Sequence, residues 1–528
     1  MWHRFWHKIN NTVTGGALII TFFSLLAKIF ALLRERLIAH NFAASEMSDI
    51  YYSAFRLPDL IFNTLVLGAL TSAFIPIFQR VWHKDKDKGI ELSNSVLNFF
   101  LIFISILVLL AFIFTPQIMP LITPGFLPWQ IESVVSLSRI MLLSVLFFVA
   151  SNLIGGILNS FKRFFSFSLA ASFYNIGIII GILFFYPRLG LVGLSYGVLL
   201  GAIMHLLVQL PEVYKNGWHY KFVLKFDKNL RRILKLMLPR TIGLAAGQIN
   251  LLIITMIAST LAAGSISVFN YANNLQSLPV SLFAVSLAIA VFPTFTQAAN
   301  EKNSVLFSQN FSRSFRRILF MLIPMSVLIV VLRAQLVRVI LGSGAFDWDS
   351  TYQTAQALGI FAVSIFAQGL IPLLARSFYA YEDTKTPMTI SIVSIMINIG
   401  LSWQLSQHFG VFGLAMAFSI SSILNMILLY VFLHFKIQAI NDSLIINSIL
   451  KISFNSMVAG FIAYVFLNFL SSRVDMYTFM GIFLQGLGAG LAGLLSYLVL
   501  GIVFKLDELD FVKRRLKKWL LLFRDGRN

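Results

Sequence analysis

The sequence predicts an all-α membrane protein with about fourteen transmembrane helices, and three observations support this fold class. Of the 528 residues, 58% are apolar and only 12% are charged, which is about half the charge of a typical soluble chain. The mean hydropathy is +0.83. Apolar runs near the bilayer-crossing length of about 20 residues recur from end to end. They do not alternate polar and apolar residues as the strands of a membrane barrel do.

Fourteen apolar stretches mark the predicted spans. They lie near residues 14–40, 50–79, 92–115, 134–160, 166–186, 190–211, 233–259, 268–297, 317–341, 352–380, 387–407, 411–434, 451–470 and 477–504. The connections between them are short, and none is long enough to hold a soluble domain. We therefore expect the functional residues to lie within or next to the spans.

Lysine and arginine are concentrated in alternate connections, and this distribution accounts for the net charge of +20. Stretches such as "RVWHKDKDK", "RSFRR" and "KRRLKK" are basic, whereas "NFAASEMSD" and "GSGAFDWDS" contain no lysine or arginine. The positive-inside rule then predicts that both termini lie in the cytoplasm. Most of the positive charge marks topology and contact with anionic membrane lipids, so we expect no nucleic-acid partner.

Two residue types bear on the chemistry that is available to the chain. There is no cysteine, which excludes disulfides, thiolate metal sites and cysteine nucleophiles. The eight histidines are scattered without the spacing of metal ligands. We therefore predict no catalytic residues and no resident cofactor.

Short motifs recur at a nearly constant offset of about 220 residues and indicate an internal repeat. The matching pairs are "AFIPIFQR" (73–80) with "AVFPTFTQ" (290–297), "YNIG" (174–177) with "INIG" (397–400), and "GLVGLSYG" (190–197) with "GVFGLAMA" (410–417). An even number of spans separates the copies, so the repeats are parallel. Transporters that rock one helix bundle against another use this arrangement.

The repeat divides the chain into predicted parts. They are an N-terminal lobe (1–211), a basic cytoplasmic linker (212–232), a C-terminal lobe (233–434), two further helices (435–504) and a basic amphipathic cytoplasmic tail (505–528). Each lobe then holds six spans.

Charged and polar residues form stripes within the first two spans. On the second span the stripe has the three- and four-residue spacing of one helical face; its members are Asp49, Tyr52, Arg56, Asp59 and Asn63. The first span carries Lys28, Arg34 and Glu35. A charge at the bilayer centre costs roughly 2.5–3.5 kcal/mol on insertion scales. These side chains must therefore be paired or hydrated.

Two explanations of the buried charges remain open. In the first, the residues form structural ion pairs between helices. For Asp59 and Arg376 we give this explanation the same weight as a functional role. Alternatively, a water-filled cavity holds an excess of cations, which we favour for Lys28, Arg34 and Arg56. Such an excess calls for an anion, and the planar fork of arginine suits phosphate because it donates two parallel hydrogen bonds.

Several stretches together resemble the MurJ/MviN family of lipid II flippases. They are "AFRLPDLIFNTLVLGALTSAFIPIF" (54–78), "PGF" (124–126), "QINLLIITMIASTLAAGSISVFNYANNLQSLPVSLFAVSLAIAVFPT" (248–294), "GSGAF" (342–346) and "LLARSFYAYEDTKTP" (373–387). The resemblance covers nearly the whole chain. It implies the fold of the multidrug/oligosaccharidyl-lipid/polysaccharide exporter superfamily, with two lobes around a central cavity. It also implies transport of an undecaprenyl-diphosphate-linked peptidoglycan precursor from the inner to the outer leaflet.

The resemblance also suggests roles for particular residues. Lys28 and Arg34 match the family's cationic pair on the first helix, with Glu35 in place of its usual Asp. Asp49 and Arg56 match cavity residues on the second helix. The resulting candidates for substrate binding are Lys28, Arg34, Arg56, Arg240, Asn63 and Asn274, and those for acidic or gating roles are Glu35, Asp49 and Asp59.

Some positions depart from the proteobacterial pattern of this family. Asn63 and Asn274 stand where that pattern has arginine, and Arg240 is the candidate to supply the missing charge. Asp383 falls in a "DTKTP" segment that matches a sodium-site region of some members. The resemblance thus implies a sodium or other monovalent ion at this residue. The inside-negative membrane potential is a second expected energy source, because it would reset an empty, positively charged carrier.

The remaining expectations concern surroundings and rival functions. We expect a monomer in the bacterial cytoplasmic (inner) membrane, with lipid II and membrane lipids as partners and cell-wall synthesis proteins as further ones. A flippase for another polyprenyl-linked glycan or a multidrug exporter is the alternative. A membrane enzyme acting on polyprenyl-linked sugars is the third hypothesis, since "GLSYG" (193–197) spells a nucleophile elbow. We disfavour it because the motif opens an apolar span.

Overall fold

The computed structural model describes residues 13–67, 69–437 and 442–509. Side chains at 13–18, 67, 69–72, 239, 240 and 242 lie outside this description. Within these ranges every regular element is helical. The predicted all-α fold class is therefore confirmed. The tail beyond residue 509, which the sequence predicts to be amphipathic, lies outside the described residues.

The helices before residue 260 follow one another through short connections. They are α1 (Val13–Phe42), α2 (Glu46–Ala54), α3 (Arg56–Ile61), a π-helical segment (Phe62–Leu67), α4 (Ala69–Lys84), α5 (Lys86–Ile122), α6 (Pro128–Ser160), α7 (Phe164–Ile180), a π-helical segment (Gly181–Phe185), α8 (Tyr186–Leu189), α9 (Leu191–Leu207), α10 (Leu210–Lys215) and α11 (Lys228–Ser259).

The later helices continue in the same way. They are α12 (Ser265–Pro279), a π-helical segment (Val280–Val285), α13 (Ser286–Asn300), α14 (Ser304–Ile340), α15 (Trp348–Ala362), α16 (Ile365–Ala380), α17 (Lys385–Phe409), α18 (Val411–Lys436), α19 (Asp442–Ser471) and α20 (Phe479–Val503).

Ten helical spans of the described chain are long and apolar enough to cross a membrane. Two further spans qualify if each is counted across a bend, which raises the number to twelve. One consists of the two halves of α11, bent by 47°, and the other consists of α15 and α16, bent by 45°. The protein is thus a multi-pass membrane protein. The first two predicted spans, α1 and α2–α4, are not among these twelve, so the count of fourteen stays a prediction.

The described residues cluster into two compact units. Of the described residues, the first unit comprises 13–67, 69–267 and 343–346, and the second comprises 268–342, 347–437 and 442–509. In the first unit, α1 packs on α7, α9 packs on α6 and α7, and α11 packs on α4 and α5. In the second, α14 packs on α15, α19 and α20, and α17 packs on α18. The predicted lobe boundaries are drawn from the sequence repeat and not from contacts between residues, so these units do not test them, and they stay a prediction.

The strongest repeat motif folds into the same turn in both copies. Gly190 has a φ of 62° and Gly410 a φ of 56°, a left-handed conformation that glycine adopts without steric cost. Each glycine accepts a hydrogen bond from the amide three residues later, that of Gly193 or Gly413. A Cβ atom on either of these later glycines would lie within 2.5 Å of backbone atoms of the preceding helix. The motif therefore encodes a tight helix–helix corner.

The "GLSYG" stretch is part of a helix-packing surface. Ser195 lies inside α9, and its hydroxyl donates to the carbonyl of Val192 at 2.6 Å. A Cβ atom on Gly197 would approach the Cα of Gly181 to 2.6 Å. Small residues at this spacing let two membrane helices approach closely. No strand precedes the serine in the described chain, so the geometry of a nucleophile elbow is absent there.

Candidate functional site

Arg34 and Glu35 of α1 form a connected cluster with Tyr52 and Asn175 inside the first unit. The Arg34 guanidinium donates through Nη2 to Glu35 Oε1 at 2.5 Å and through Nη1 to Asn175 Oδ1 at 3.1 Å. The Tyr52 hydroxyl donates a short hydrogen bond to the other Glu35 oxygen. The Arg34 side chain is 21% exposed and that of Glu35 is 6% exposed. Three helices, α1, α2 and α7, therefore hold this arginine in one position.

The backbone explains why these helices meet. Between α1 and α2, the Ser48 hydroxyl accepts from the Ser45 amide and the Ser45 hydroxyl donates to the carbonyl of Phe42. These bonds satisfy backbone groups at the end of α1 and the start of α2. On α7, Asn175 Nδ2 donates to the carbonyl of Ala171 at 2.9 Å. The amide is thereby oriented with its oxygen toward Arg34.

Two cationic side chains of α1 keep donors without a described acceptor. Nε of Arg34 is buried and has no hydrogen-bond partner among the described residues. Lys28, about two turns earlier on α1, is partly buried and forms neither an ion pair nor a hydrogen bond with any described side chain. A buried donor without an acceptor is costly. The cluster can therefore still accept an anion or water.

The second cationic position lies on α3. Arg56 donates through Nε to the Thr255 hydroxyl of α11 at 2.7 Å, and that hydroxyl donates in turn to the carbonyl of Leu251. Asp59, one turn after Arg56, is close enough for electrostatic interaction with Arg56 and Arg34. It forms no ion pair within 4 Å among the residues that the structure describes. Asp59 therefore lowers the local positive charge without fixing the guanidinium groups.

Asp49 has a different environment from Asp59. Its Oδ2 accepts from the Gly264 amide at 2.7 Å, and its Oδ1 accepts from the Ser267 amide at 2.8 Å and the Ser267 hydroxyl at 2.5 Å. Asp49 is 3% exposed, and its carboxylate lies at the N-terminus of α12. Such a position favours a negative charge, since it satisfies free amides and complements the helix dipole. This geometry favours a structural role, and the predicted gating role stays a prediction.

The remaining substrate-binding candidates are not brought into this cluster by described contacts. Asn63 lies in the π-helical segment after α3 and is partly buried. Asn274 lies on α12 in the second unit, and its carbonyl accepts from the Ser277 hydroxyl. Arg240 lies within α11, and its side chain is outside the described residues. Their roles stay predictions.

The candidate cation ligand Asp383 lies in the connection between α16 and α17. Its carboxylate accepts from Lys436 Nζ at 2.6 Å and from the amide and hydroxyl of Thr386 at 3.0 and 2.9 Å. Partial burial acts to raise the pKa of Asp383, but the bonds from Lys436 and Thr386 outweigh it and lower this pKa to about 2. No group of three His, Cys, Asp or Glu side chains suited to a metal occurs among the described residues. The ammonium of Lys436 therefore supplies the positive charge at this carboxylate.

Sequence reasoning missed Asn175 as a member of the cluster. The segment "YNIG" (174–177) stands out in the sequence only as a repeat motif. An amide within an apolar helix is a signal that could have identified it, because such a group needs a partner in the membrane. Its partner, Arg34, is 141 residues away and cannot be found from spacing.

Comparisons with known proteins agree with the sequence resemblance. A sequence model of the family described as "Lipid II flippase MurJ" matches residues 38–485. A probable lipid II flippase MurJ from Buchnera aphidicola subsp. Schizaphis graminum is 31% identical over 413 residues, covering 77% of this chain and 80% of the relative. Its counterpart from Vibrio cholerae is 28% identical over 447 residues, covering 81% and 84%.

Solved structures show the same architecture. A structure described as "Lipid II flippase MurJ, inward closed conformation" superposes with a TM-score of 0.78 at 27% identity, covering 93% of this chain and all of that one. An inward-facing multidrug resistance MATE family transporter of the MOP superfamily superposes with a TM-score of 0.68 at 15% identity, covering 80% of this chain and 98% of that one. The second match concerns the fold alone.

Proposed function

The chain belongs to the family of lipid II flippases MurJ, and we propose that it moves lipid II between membrane leaflets by alternating access through a cationic cavity. In this proposal the undecaprenyl-diphosphate-linked precursor enters from the cytoplasmic leaflet of the inner membrane and leaves on the outer side. The relatives are transporters by name, so the chain is a transporter and not an enzyme. The cavity, the direction and the cytoplasmic position of both termini are parts of the proposal.

The observation that carries this proposal is the unsatisfied positive charge of α1. Arg34 is oriented by Glu35 and Asn175 and still has a buried Nε without an acceptor among the described residues. A diphosphate offers several oxygens and at least two negative charges. Arginine binds such groups through parallel hydrogen bonds, which a carrier of cationic drugs would not need.

Lys28 and Arg56 would contribute in different ways. Lys28 is a flexible point charge without a described partner and can follow a phosphate as it moves. Arg56 is bound by Thr255 of α11, so a phosphate that draws it away would release a contact between helices. Ligand binding would then be coupled to helix movement, as alternating access requires.

Interruptions in the helices supply places where such movement can occur. A π-helical segment follows α3 and another follows α12, at corresponding positions of the two sequence repeats. Segments of this kind weaken the regular backbone ladder and often lie at functional sites. A bend of 45° separates α15 from α16. These features support a carrier whose helices change their bend during transport.

Two energy sources remain proposals. The empty carrier has excess positive charge, so an inside-negative potential would favour its return, and one charge across 100 mV corresponds to about 2.3 kcal/mol. A monovalent cation could instead act at Asp383. It would have to displace Lys436 Nζ, which lies 2.6 Å from the carboxylate.

Depletion of the protein in growing cells tests the transport proposal. A membrane-impermeant enzyme that cleaves lipid II at its diphosphate would be added to spheroplasts, and the protected fraction would be measured. We expect the protected fraction to rise severalfold on depletion and to return when the wild-type chain is re-expressed. Unchanged exposure in cells without another lipid II carrier would overturn the proposal.

The same assay distinguishes the alternatives. A flippase for a different polyprenyl-linked glycan would leave lipid II exposure unchanged while that other lipid accumulates inside. A multidrug exporter would change drug efflux and neither lipid. Analysis of the lipid extract by mass spectrometry separates these outcomes.

A further inference from the structure

The connection between α10 and α11 is an extended segment that is fastened along α5. We call residues 218–227 the linker segment. Trp218 is 2% exposed and donates through Nε1 to the Ser93 hydroxyl at 2.8 Å. Asn94 Nδ2 donates to the carbonyl of His219 at 3.0 Å. A linker that only connected two lobes would not need such fixation.

Further hydrogen bonds join α5 to later residues of the linker segment. Asn94 Oδ1 accepts from the Lys221 amide, and Asn98 Nδ2 donates to the carbonyls of Lys221 and Val223 at 3.3 and 2.9 Å. The Ser95 hydroxyl accepts from the Lys225 amide at 3.2 Å. Side chains of α5 thus hydrogen-bond to the backbone of the linker segment along much of its length.

Alternate side chains of the linker segment are large, apolar and exposed. Tyr220, Phe222, Leu224 and Phe226 are 48%, 73%, 52% and 59% exposed. Their spacing of two places them on one face of the extended backbone. The hydroxyl of Tyr220 donates to Asn98 Oδ1 of α5 at 3.0 Å. A run of four such side chains is unfavourable in water and is typical of an interaction surface.

The position of this face points to the bilayer. The bonds to α5 reach Asn98, and the apolar run of α5 begins at Phe99. The Phe226 ring lies 6.1 Å from the Phe99 ring, which stacks on the Phe103 ring at 6.2 Å. Phe103 belongs to the exposed apolar surface of α5. The aromatic face therefore continues into the surface that contacts lipid chains.

The charges beside this face are predominantly positive. They comprise Lys221, Lys225, Lys228, Arg231 and Arg232. Two carboxylates lie among them: Glu91 pairs with Lys225, and Asp227 accepts from the Leu230 amide at the start of α11. The guanidinium of Arg231 lies 5.9 Å from the centre of the Phe226 ring. The remaining cations match the negative surface of a membrane.

We propose that the linker segment is a binding surface for anionic glycerophospholipids, with its aromatic face in the headgroup region and its cations on the phosphates. Aromatic side chains favour this depth of the bilayer, and basic side chains near it bind anionic headgroups. The surface lies within the first unit and is separate from the Arg34 cluster. Its function is to fix the junction between α5 and α11 at the membrane surface.

Spin labelling tests the depth of the segment. The chain has no cysteine, so Phe222→Cys and the adjacent Lys221→Cys can each carry one nitroxide in the full-length protein. The proteins would be placed in nanodiscs of phosphatidylcholine with about 30% phosphatidylglycerol, a composition chosen for its anionic charge. We expect the ratio of oxygen to nickel-chelate collisions to be at least threefold higher at 222 than at 221. Equal, water-like ratios would overturn the proposal and would fit a face that awaits a protein partner.

Charge removal tests the lipid class. The triple variant Lys221→Gln, Lys228→Gln, Arg232→Gln should retain at least threefold less phosphatidylglycerol in a mixed-lipid competition read by native mass spectrometry. The matched control removes three lysines from the nearby α4–α5 corner, Lys84→Gln, Lys86→Gln and Lys88→Gln. If both variants lost the same amount of phosphatidylglycerol, the proposal of a specific lipid-binding surface at the linker segment would be overturned. A melting temperature equal to that of the wild type would show that the variants are folded.

Discussion

Two ion pairs of this protein have the same chemistry but different surroundings. Arg34 and Glu35 pair at 2.5 Å within α1. Lys436, at the end of α18, pairs at 2.6 Å with Asp383 in the connection between α16 and α17. In the second pair, the bonds from Thr386 complete the partners of the carboxylate. In the first pair, the cation keeps a buried donor without a described partner, and Lys28 adds a further charge. The Arg34 pair therefore keeps a donor for a further acceptor, which the proposed phosphate site requires.

The largest expected effect is that of Arg34→Ala. The variant loses the oriented guanidinium, and we expect it to fail to support growth after depletion of the wild-type chain while it accumulates normally in the membrane. Arg34→Lys should restore only part of the activity, since a lysine cannot donate in parallel to one phosphate. The measurements are a complementation assay and immunoblots of membranes.

Arg188→Ala is a matched control for this prediction. The guanidinium of Arg188 is exposed, and within the described part of the chain it donates only to the carbonyl of Phe184, at 3.3 Å. We expect growth like that of the wild type. Full growth of Arg34→Ala would remove Arg34 from the site and would make its pair with Glu35 as structural as that of Lys436 with Asp383.

Asp49→Asn should mainly affect stability. Its carboxylate accepts three hydrogen bonds at the start of α12, and an amide in its place would turn a donor toward one of these N–H groups. Hydrogen bonds to a charged group contribute about 1.5–3 kcal/mol each, so we expect a lower melting temperature and less protein in the membrane. Asp85→Asn is the control, because Asp85 caps α5 at an exposed position and should lower the melting temperature less. Normal stability combined with lost transport would support the gating role.

Glu35→Gln tests how the carboxylate partner of Arg34 affects substrate binding. The variant keeps the shape and an acceptor for Tyr52, but it removes the charge that competes with phosphate for Arg34. We expect lipid II to bind about threefold to tenfold more tightly, which is about 0.7–1.4 kcal/mol, while transport slows because release is slower. Binding can be measured by native mass spectrometry, with the exposed Glu132→Gln as the control. Weaker binding would mean that Glu35 acts only by positioning Arg34.

The sequence was sufficient to predict the fold class and the helices that carry charge, because apolar length and helical spacing are local properties. The repeat motif also predicted two equivalent segments, and Gly190 and Gly410 form the same corner. The sequence did not predict which residues on different helices would contact each other. Arg34 meets Asn175 and Arg56 meets Thr255, which is 199 residues away. Asp49 and Asp59 belong to one predicted stripe, yet only Asp49 has its oxygens occupied by backbone amides.

The smallest expected effect is that of Asp383→Asn. The side chain of Lys436 is 34% exposed, and such partly exposed pairs contribute about 0–1 kcal/mol. The pKa of Asp383 is lowered to about 2 from an ordinary value of about 3.9. The contribution of the pair is therefore present above about pH 4 and is lost as the pH falls toward 2. We expect lipid II exposure to be unchanged between about pH 5.5 and 8, with sodium or with potassium, in both the wild type and the variant. A wild-type activity that needs sodium, and a variant that has lost both activity and this dependence, would instead establish the cation site that the sequence predicts. The variant Lys436→Gln would then bind sodium more tightly, because the competing ammonium is gone.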